Sequence, residues 1–340
     1  MPRKALRPGP DKALRPRPDK ASRPGADKAR RPRPDKAPGR SLRKRAAALT
    51  VAELIERVAR RLKRARVFYG HGTDNAWDEA AALVWHALRL PHAVKPAHYR
   101  RRARRPEVLA VERLLERRIK HRIPAAYLTG ETSFAGLWFR VDARVLIPRS
   151  PIAELIERRF APWIEEKRVR SILDIGTGSG CIAIAAARAF PHAHVTAVDI
   201  SREALEVAAQ NVRRHRVGSR LRLVRSDHFS ALGRARYDMI LSNPPYVSDT
   251  EMRGLPAEYR HEPALALASG RDGLGSVRII LREARQHLRP RGILIVEVGN
   301  SEHRLRRAYP SLPFTWLHFE RGGGGVFLLT AEELLRATLV

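Results

Sequence analysis

One cysteine, Cys181, stands in 340 residues, so no disulfide can form within the chain, and such usage fits a reducing compartment. Long apolar runs are missing too. The longest, such as Cys181–Ala187, falls far short of the roughly 20 residues a membrane span needs. No apolar stretch opens the sequence, which argues against a secretory leader and leads us to expect a cytoplasmic protein. Acidic residues are scarce: 35 Asp and Glu face 66 Lys and Arg, a net charge of +31. That surplus points to a polyanion, nucleic acid above all, but is silent on fold and chemistry. The thirteen histidines are scattered without ligand spacing, His192 and His194 merely alternating along one strand, so no metal is expected.

What is present is unevenly distributed. Residues 1–45 hold 17 Lys or Arg, 4 Asp, 9 Pro and no aromatic residue. They repeat every eight residues, from Arg7, Arg15, Arg23 and Arg31, around Asp-Lys-Ala at Asp11, Asp19, Asp27 and Asp35. A unit this short has no apolar face to bury, so the segment reads as a disordered or polyproline II tail. It is either a solvated extension or an electrostatic arm for RNA. At about 150 residues per domain, the remainder holds two folded units, and an apolar content of 44% is enough for a core.

Order is expected from Thr50, where Thr50-Val-Ala-Glu53 fits a capping box and Leu54, Ile55, Val58 and Leu62 follow at helical spacing until Gly70 and Gly72. A second helix spans Asn75 to Leu90, with Trp77 and Trp85 on its core side, and a third runs from Pro106 to Arg122. Between them Arg100–Arg105 holds five arginines in six residues, either a solvated loop or an RNA contact. These elements suggest a helical domain at 46–122, and Thr132–Phe134 with Leu137–Val141 a hairpin linker within 123–150. Ser150-Pro151 would cap the next helix. From 151 to 340 short apolar strands (Ser171–Ile175, Val195–Ile200, Leu221–Arg225, Tyr237–Ser242, Ile293–Val298) alternate with helices, a doubly wound α/β pattern. Phe314–Phe319 and Val326–Thr330, joined by Arg321 and Gly322–Gly325, should close the sheet as antiparallel strands.

Two constellations carry chemistry. The first is Asp174-Ile-Gly176-Thr177-Gly178-Ser179-Gly180, a strand running into a glycine turn and a helix start, where backbone N–H groups are free and a ligand can approach closely. Cys181 stands where a dinucleotide fingerprint would have its last glycine, and Thr177 excludes a nucleophile elbow around Ser179. Asp199 ends the next strand, suited to ribose hydroxyls, and Asp227-His228 follows the one after. Carboxylates after three successive strands suit a cofactor with an adenosine and a cationic amino-acid end, not one rich in phosphates. The second constellation is Asn243-Pro244-Pro245-Tyr246. Its prolines fix the backbone and hold Asn243 at the carboxyl end of a strand, where open α/β sheets bind ligands.

The order of glycine loop, acidic strand ends and Asn-Pro-Pro-Tyr resembles class I methyltransferases that use S-adenosyl-L-methionine. Within that group residues 50–338 are similar to the PrmB/HemK family of protein glutamine methyltransferases. The segments that carry the likeness are Phe68–Asn75, Arg122–Thr129, Val145–Arg149, the two constellations and Tyr259–Pro263. Ser150-Pro151-Ile152 after Arg149, with Tyr69–Asp74, resembles the branch acting on large-subunit ribosomal protein L-three; the release-factor branch usually continues with Pro-Glu-Thr. The resemblance implies a Rossmann-like sheet with an antiparallel terminal hairpin plus a small N-terminal helical domain for substrate recognition. It implies that Asn243 and the Pro244 carbonyl accept hydrogen bonds from a glutamine amide, with Pro245 and Tyr246 beside them. It implies that Asp174, Gly176, Thr177, Gly178, Ser179, Gly180, Asp199, Asp227, His228 and Asn243 hold the cofactor. Two other readings stay open: a nucleic-acid adenine or cytosine methyltransferase, since the same tetrad can grip an exocyclic amine, and a non-catalytic RNA-binding assembly factor.

Overall fold

The computed structural model describes residues 49–336; the repeat tail read at 1–45 lies outside the described residues. The first helix, Val51–Arg64, begins as the capping box requires: the Thr50 hydroxyl accepts the Glu53 N–H, and Glu53 accepts the Thr50 N–H. It ends at Arg64, ahead of Gly70, because Ala65 caps it and Arg66 already takes φ +48°. Helices Ala76–Ala87 and Arg105–His121 follow, joined by an unanticipated short helix, Pro96–Arg100, that ends where the arginine run begins. Leu54, Leu83, Val84, Val111 and Leu115 are fully buried between them. Each such side chain contributes roughly 1.5–3 kcal/mol over its exposed state. Trp77 contradicts its expected core placement. Asn75 caps its helix, which puts Trp77 in the first turn, 43% exposed, while Ala76, Ala80 and Leu83 fill the inner stripe.

The helix Ala125–Thr129 leads into a hairpin of β1 (Glu131–Phe134) and β2 (Leu137–Arg140). The remaining strands form one sheet: β3 (Ser171–Ile175), β4 (His194–Asp199), β5 (Leu221–Arg225), β6 (Tyr237–Ser242), β7 (Leu288–Glu297), β8 (Thr315–Trp316) and β9 (Val326–Thr330). Their order is β5-β4-β3-β6-β7-β9-β8, parallel through β7 and antiparallel at β9 and β8. The strand expected over Phe314–Phe319 shrinks to Thr315–Trp316, because the glycine turn folds back on Gly299 and Pro151 instead of extending the ladder.

Side chains alternate across the sheet as the pleat demands. Ile172, Met239, Leu241, Ile293 and Ile295 face the helices Ile152–Glu157 and Cys181–Ala189. Leu173, Ile240, Leu294 and Val296 face Gly275–His287. The chain winds outward through β3, β4 and β5, then returns to place β6 on the other side of β3. This switch point puts the carboxyl ends of β3 and β6 side by side, with Ile175 opposite Ser242, and open α/β sheets bind ligands there. Among the described residues no helix is long and apolar enough to cross a membrane, and none group in a way that could hold a metal ion.

Candidate active site

Two clefts meet at the switch point. The first lies along the ends of β3, β4 and β5, lined by Gly176, Gly178, Asp199, Asp227, His228, Asn243, Pro244 and Pro245. Gly176, Gly178 and Gly180 have φ of +71°, +54° and +81°, a left-handed run that side chains would strain. Asp199 pins the turn: its carboxylate accepts the Gly178 N–H at 2.8 Å and the Ser201 N–H at 2.9 Å, and burial holds its pKa above the usual carboxylate range. Asp227 and His228 sit at the far wall, 2.7 Å apart.

Asp174, Thr177, Ser179 and Gly180 do not line this cleft; they lie behind the turn and shape it. Asp174 is fully buried. One of its oxygens accepts the Thr177 hydroxyl at 2.5 Å and the Ala183 N–H at 3.1 Å, and the other has no protein donor. Burial raises its pKa to about 7.

The second cleft opens on the other side of the tetrad. Arg149, Tyr246, Val247, Leu255 and Tyr259 line it, and it shares Asn243, Pro244, Leu146 and Ala266 with the first. Tyr246 therefore belongs to this second cleft and not to the first. Its hydroxyl donates to Glu297 at 3.2 Å and its carbonyl accepts the Ser301 hydroxyl at 2.7 Å.

Three segments distant in sequence converge behind Tyr259. Arg149 makes a bidentate pair with Glu262 at 2.6 and 2.7 Å and lies 5.3 Å from the Tyr259 ring centre. Burial works against the Arg149 charge, but Glu262 outweighs it and holds the guanidinium above its ordinary pKa. Glu262 also accepts the Ile147 N–H at 3.1 Å. His71 packs 4.5 Å from the Tyr259 ring with both nitrogens unbonded, and burial lowers its pKa to about 4, so it is neutral. The carboxyl groups Glu297 and Glu262 escaped the sequence reading as site components. An isolated acid interrupting the apolar run Ile293–Val298 was the one local signal for Glu297.

Residues 158–258 match a family model described as "Methyltransferase small domain". A relative from Xanthomonas campestris pv. campestris (strain ATCC 33913) is 48% identical over 286 residues, 84% of this chain and 92% of its own. One from Bordetella pertussis (strain Tohama I) is 48% identical over 84% of this chain and 96% of its own. Both are named "Ribosomal protein uL3 glutamine methyltransferase". This chain belongs to that family. Among solved structures, the human methyltransferase 10 domain containing protein is similar at 19% identity with a TM-score of 0.41, over 58% of this chain and 89% of that one.

A uL3 glutamine methyltransferase draws its methyl group from S-adenosyl-L-methionine, and the first cleft fits that molecule. Asp199 and Asp227 offer acceptors for hydroxyl and amine groups. Arg144, the one cationic side chain in the lining, is already engaged by Asp142 and Glu206, so no free cation awaits a phosphate. The undonated oxygen of Asp174 marks a place where a hydrogen-bond donor is missing beside the turn.

Proposed function

We propose that this protein methylates a glutamine side-chain amide nitrogen of uL3, the large-subunit ribosomal protein L-three. The observation that carries the reading is the meeting of a donor cleft and an acceptor cleft at Asn243 and Pro244. Bound S-adenosyl-L-methionine supplies an electrophilic methyl group on a sulfonium. A primary amide is a poor nucleophile because its nitrogen lone pair is delocalised into the carbonyl. Both amide hydrogens can be accepted here, by the Asn243 side-chain oxygen and the Pro244 carbonyl. That orients the nitrogen lone pair toward the donor cleft and favours positive charge as it develops on nitrogen. The two prolines fix the backbone that presents these acceptors, so little reorganisation is needed at the moment of transfer. Tyr246 gives the amide plane a flat wall. Gly176, Gly178, Asp199, Asp227 and His228 hold the donor directly, with Asp174, Thr177, Ser179 and Gly180 supporting the turn.

The helical segment 46–122 serves as the substrate-recognition domain, and its link to the acceptor cleft supports that role: the Phe68 N–H donates to Glu258 at 3.0 Å, next to Tyr259. Segments 123–150 and 151–340 are then the linker and the transfer domain. A ribosomal protein substrate supports a cytoplasmic location, and residues 1–45 serve as an arm for rRNA on assembling particles.

Incubation with labelled S-adenosyl-L-methionine and purified uL3, followed by mass spectrometry, tests the reading. We expect one methyl group on a glutamine, lost in Asn243→Ala, a residue that lines both clefts. Label in RNA or DNA instead would overturn it in favour of an amino-methyltransferase of nucleic acid. Unchanged methylation in Asn243→Ala would remove the clamp.

A further inference from the structure

Glu297 closes β7, 5% exposed, on the same face of the sheet as Asp174. The mechanism above does not use it. Two hydroxyls meet its carboxyl group: Tyr246 donates to Oε1 at 3.2 Å and Ser150 donates to Oε2. Among the described residues no cation pairs with it; Arg149, which acts on its charge, is taken up by Glu262. A buried carboxyl group satisfied by two hydroxyls alone is a poor stabilising device. Its geometry suggests what it does instead.

Tyr246 is gripped from several sides. The Ser301 hydroxyl holds its carbonyl, and Gly299 lies so close to its ring that a Cβ there would stand 2.6 Å from Cε2. Gly325 backs directly onto Gly299, and Gly323 onto Pro151, next to Ser150. The glycine turn therefore closes over the Ser150–Glu297–Tyr246 chain instead of forming a hairpin tip. One hydrogen bond at the far end of the phenol then sets the tilt of a ring whose face lines the acceptor cleft.

We propose that Glu297 is a positioning residue for methyl transfer, fixing through the Tyr246 hydroxyl, with Ser150 as its second donor, the aromatic face against which the acceptor amide lies. This rests on the reading of Tyr246 as the acceptor wall. The polar groups that act on Glu297 are Ser150, Tyr246 and Arg149, and its antiparallel neighbour on β9 is Val326. Burial raises the Glu297 pKa to about 7. Above that pH the carboxylate accepts both hydroxyls; below it the acid keeps one good acceptor, and the Tyr246 tether weakens.

The test uses the full chain and purified uL3, with Glu297→Gln, Tyr246→Phe, the double variant and Ser150→Ala. Each of the first two lowers kcat by about 10-fold, the size of one hydrogen bond to a charged group, with donor affinity unchanged. The double variant is no slower than the slower single. Ser150→Ala gives a smaller loss. Wild-type kcat rises with pH through about 7, and Glu297→Gln flattens that limb. Losses that multiply in the double variant, or a pH limb unchanged in Glu297→Gln, overturn the proposal; a reduced limb is left by Asp174, whose pKa is also about 7. Wild type that fails to label uL3 refutes the substrate reading instead. The melting temperatures of wild type, the two singles and the double need no acceptor. They are expected to depart from additivity by about 2–4 °C, and additive shifts overturn the contact itself.

Discussion

Arg118 gives the most quantitative test of how the helical segment is tied to the acceptor cleft. It is 1% exposed. Its guanidinium donates to Glu79 at 2.6 Å, to Glu258 at 3.0 Å and to the Phe68 carbonyl at 2.6 Å. Arg118→Met preserves most of the volume and leaves two buried carboxylates behind. Breaking a buried ion pair from one side costs about 3–5 kcal/mol. At roughly 2–4 °C per kcal/mol for a unit of this size, the melting temperature should fall by on the order of 6–20 °C at pH 8. The sign of the pH dependence follows from Glu79. Burial already holds its pKa above the usual value despite Arg118, and losing the cation raises it further. A carboxyl whose pKa is higher folded than unfolded penalises the folded state increasingly as pH rises above about 4.5. The deficit of Arg118→Met is therefore smaller at pH 5 than at pH 8. Glu258 behaves in the opposite sense. Burial opposes its charge, but Arg118 and the Phe68 N–H together hold its pKa down, so part of its share shrinks as it protonates in acid. That loss begins only below about pH 4.5, so the comparison between pH 5 and pH 8 rests on Glu79. Differential scanning calorimetry at the two pH values decides. A loss under about 2 °C at pH 8, or a deficit larger at pH 5, would refute the reasoning. Because Tyr259 follows Glu258, KM for uL3 should rise as well, whereas donor affinity should not change, since the donor cleft shares none of these residues.

Asp199→Asn leaves one acceptor oxygen for two backbone N–H groups and turns an NH2 toward the other. The dissociation constant for S-adenosyl-L-methionine, read by calorimetry, should rise about 10–100-fold, and an unchanged value would remove Asp199 from the donor site. Gly299→Ala forces a Cβ into the Tyr246 ring at a residue with φ +45°. It should cut kcat by about 10-fold or more with donor affinity intact, given a displacement of the acceptor wall, and wild-type kcat would refute that packing. Deleting residues 1–45, which carry 17 basic and 4 acidic side chains, should flatten the salt dependence of binding to ribosomal precursors; an unchanged slope would deny the segment an RNA role.

The parts legible in the sequence are those whose geometry is dictated locally. β5 was read residue for residue, and the capping box at Thr50 fixed a helix start, because a handful of adjacent side chains decides each. The tetrad was legible for the same reason: two prolines constrain their own backbone whatever surrounds them. The early start of β7 was not, since Arg289-Pro290-Arg291-Gly292 carries no strand pattern and pairs only through a bulge against Tyr237 and Met239. Helices of five or six residues, Ala125–Thr129, Asp249–Gly254 and Ala331–Arg336, are too short to display a period. Trp77 misled because periodicity specifies spacing along a stripe and not where the cap begins that stripe. The supporting side chains of the site were hidden for a deeper reason. Glu297 meets partners 51 and 147 residues away, and Arg149 meets Glu262 across 113. Nothing in the neighbourhood of either residue encodes such a meeting. Groups that would touch the reactants sit at strand ends and announce themselves by type and position, whereas groups that aim them are chosen by the folded core, so for this chain the sequence discloses the chemistry before it discloses the control of its geometry.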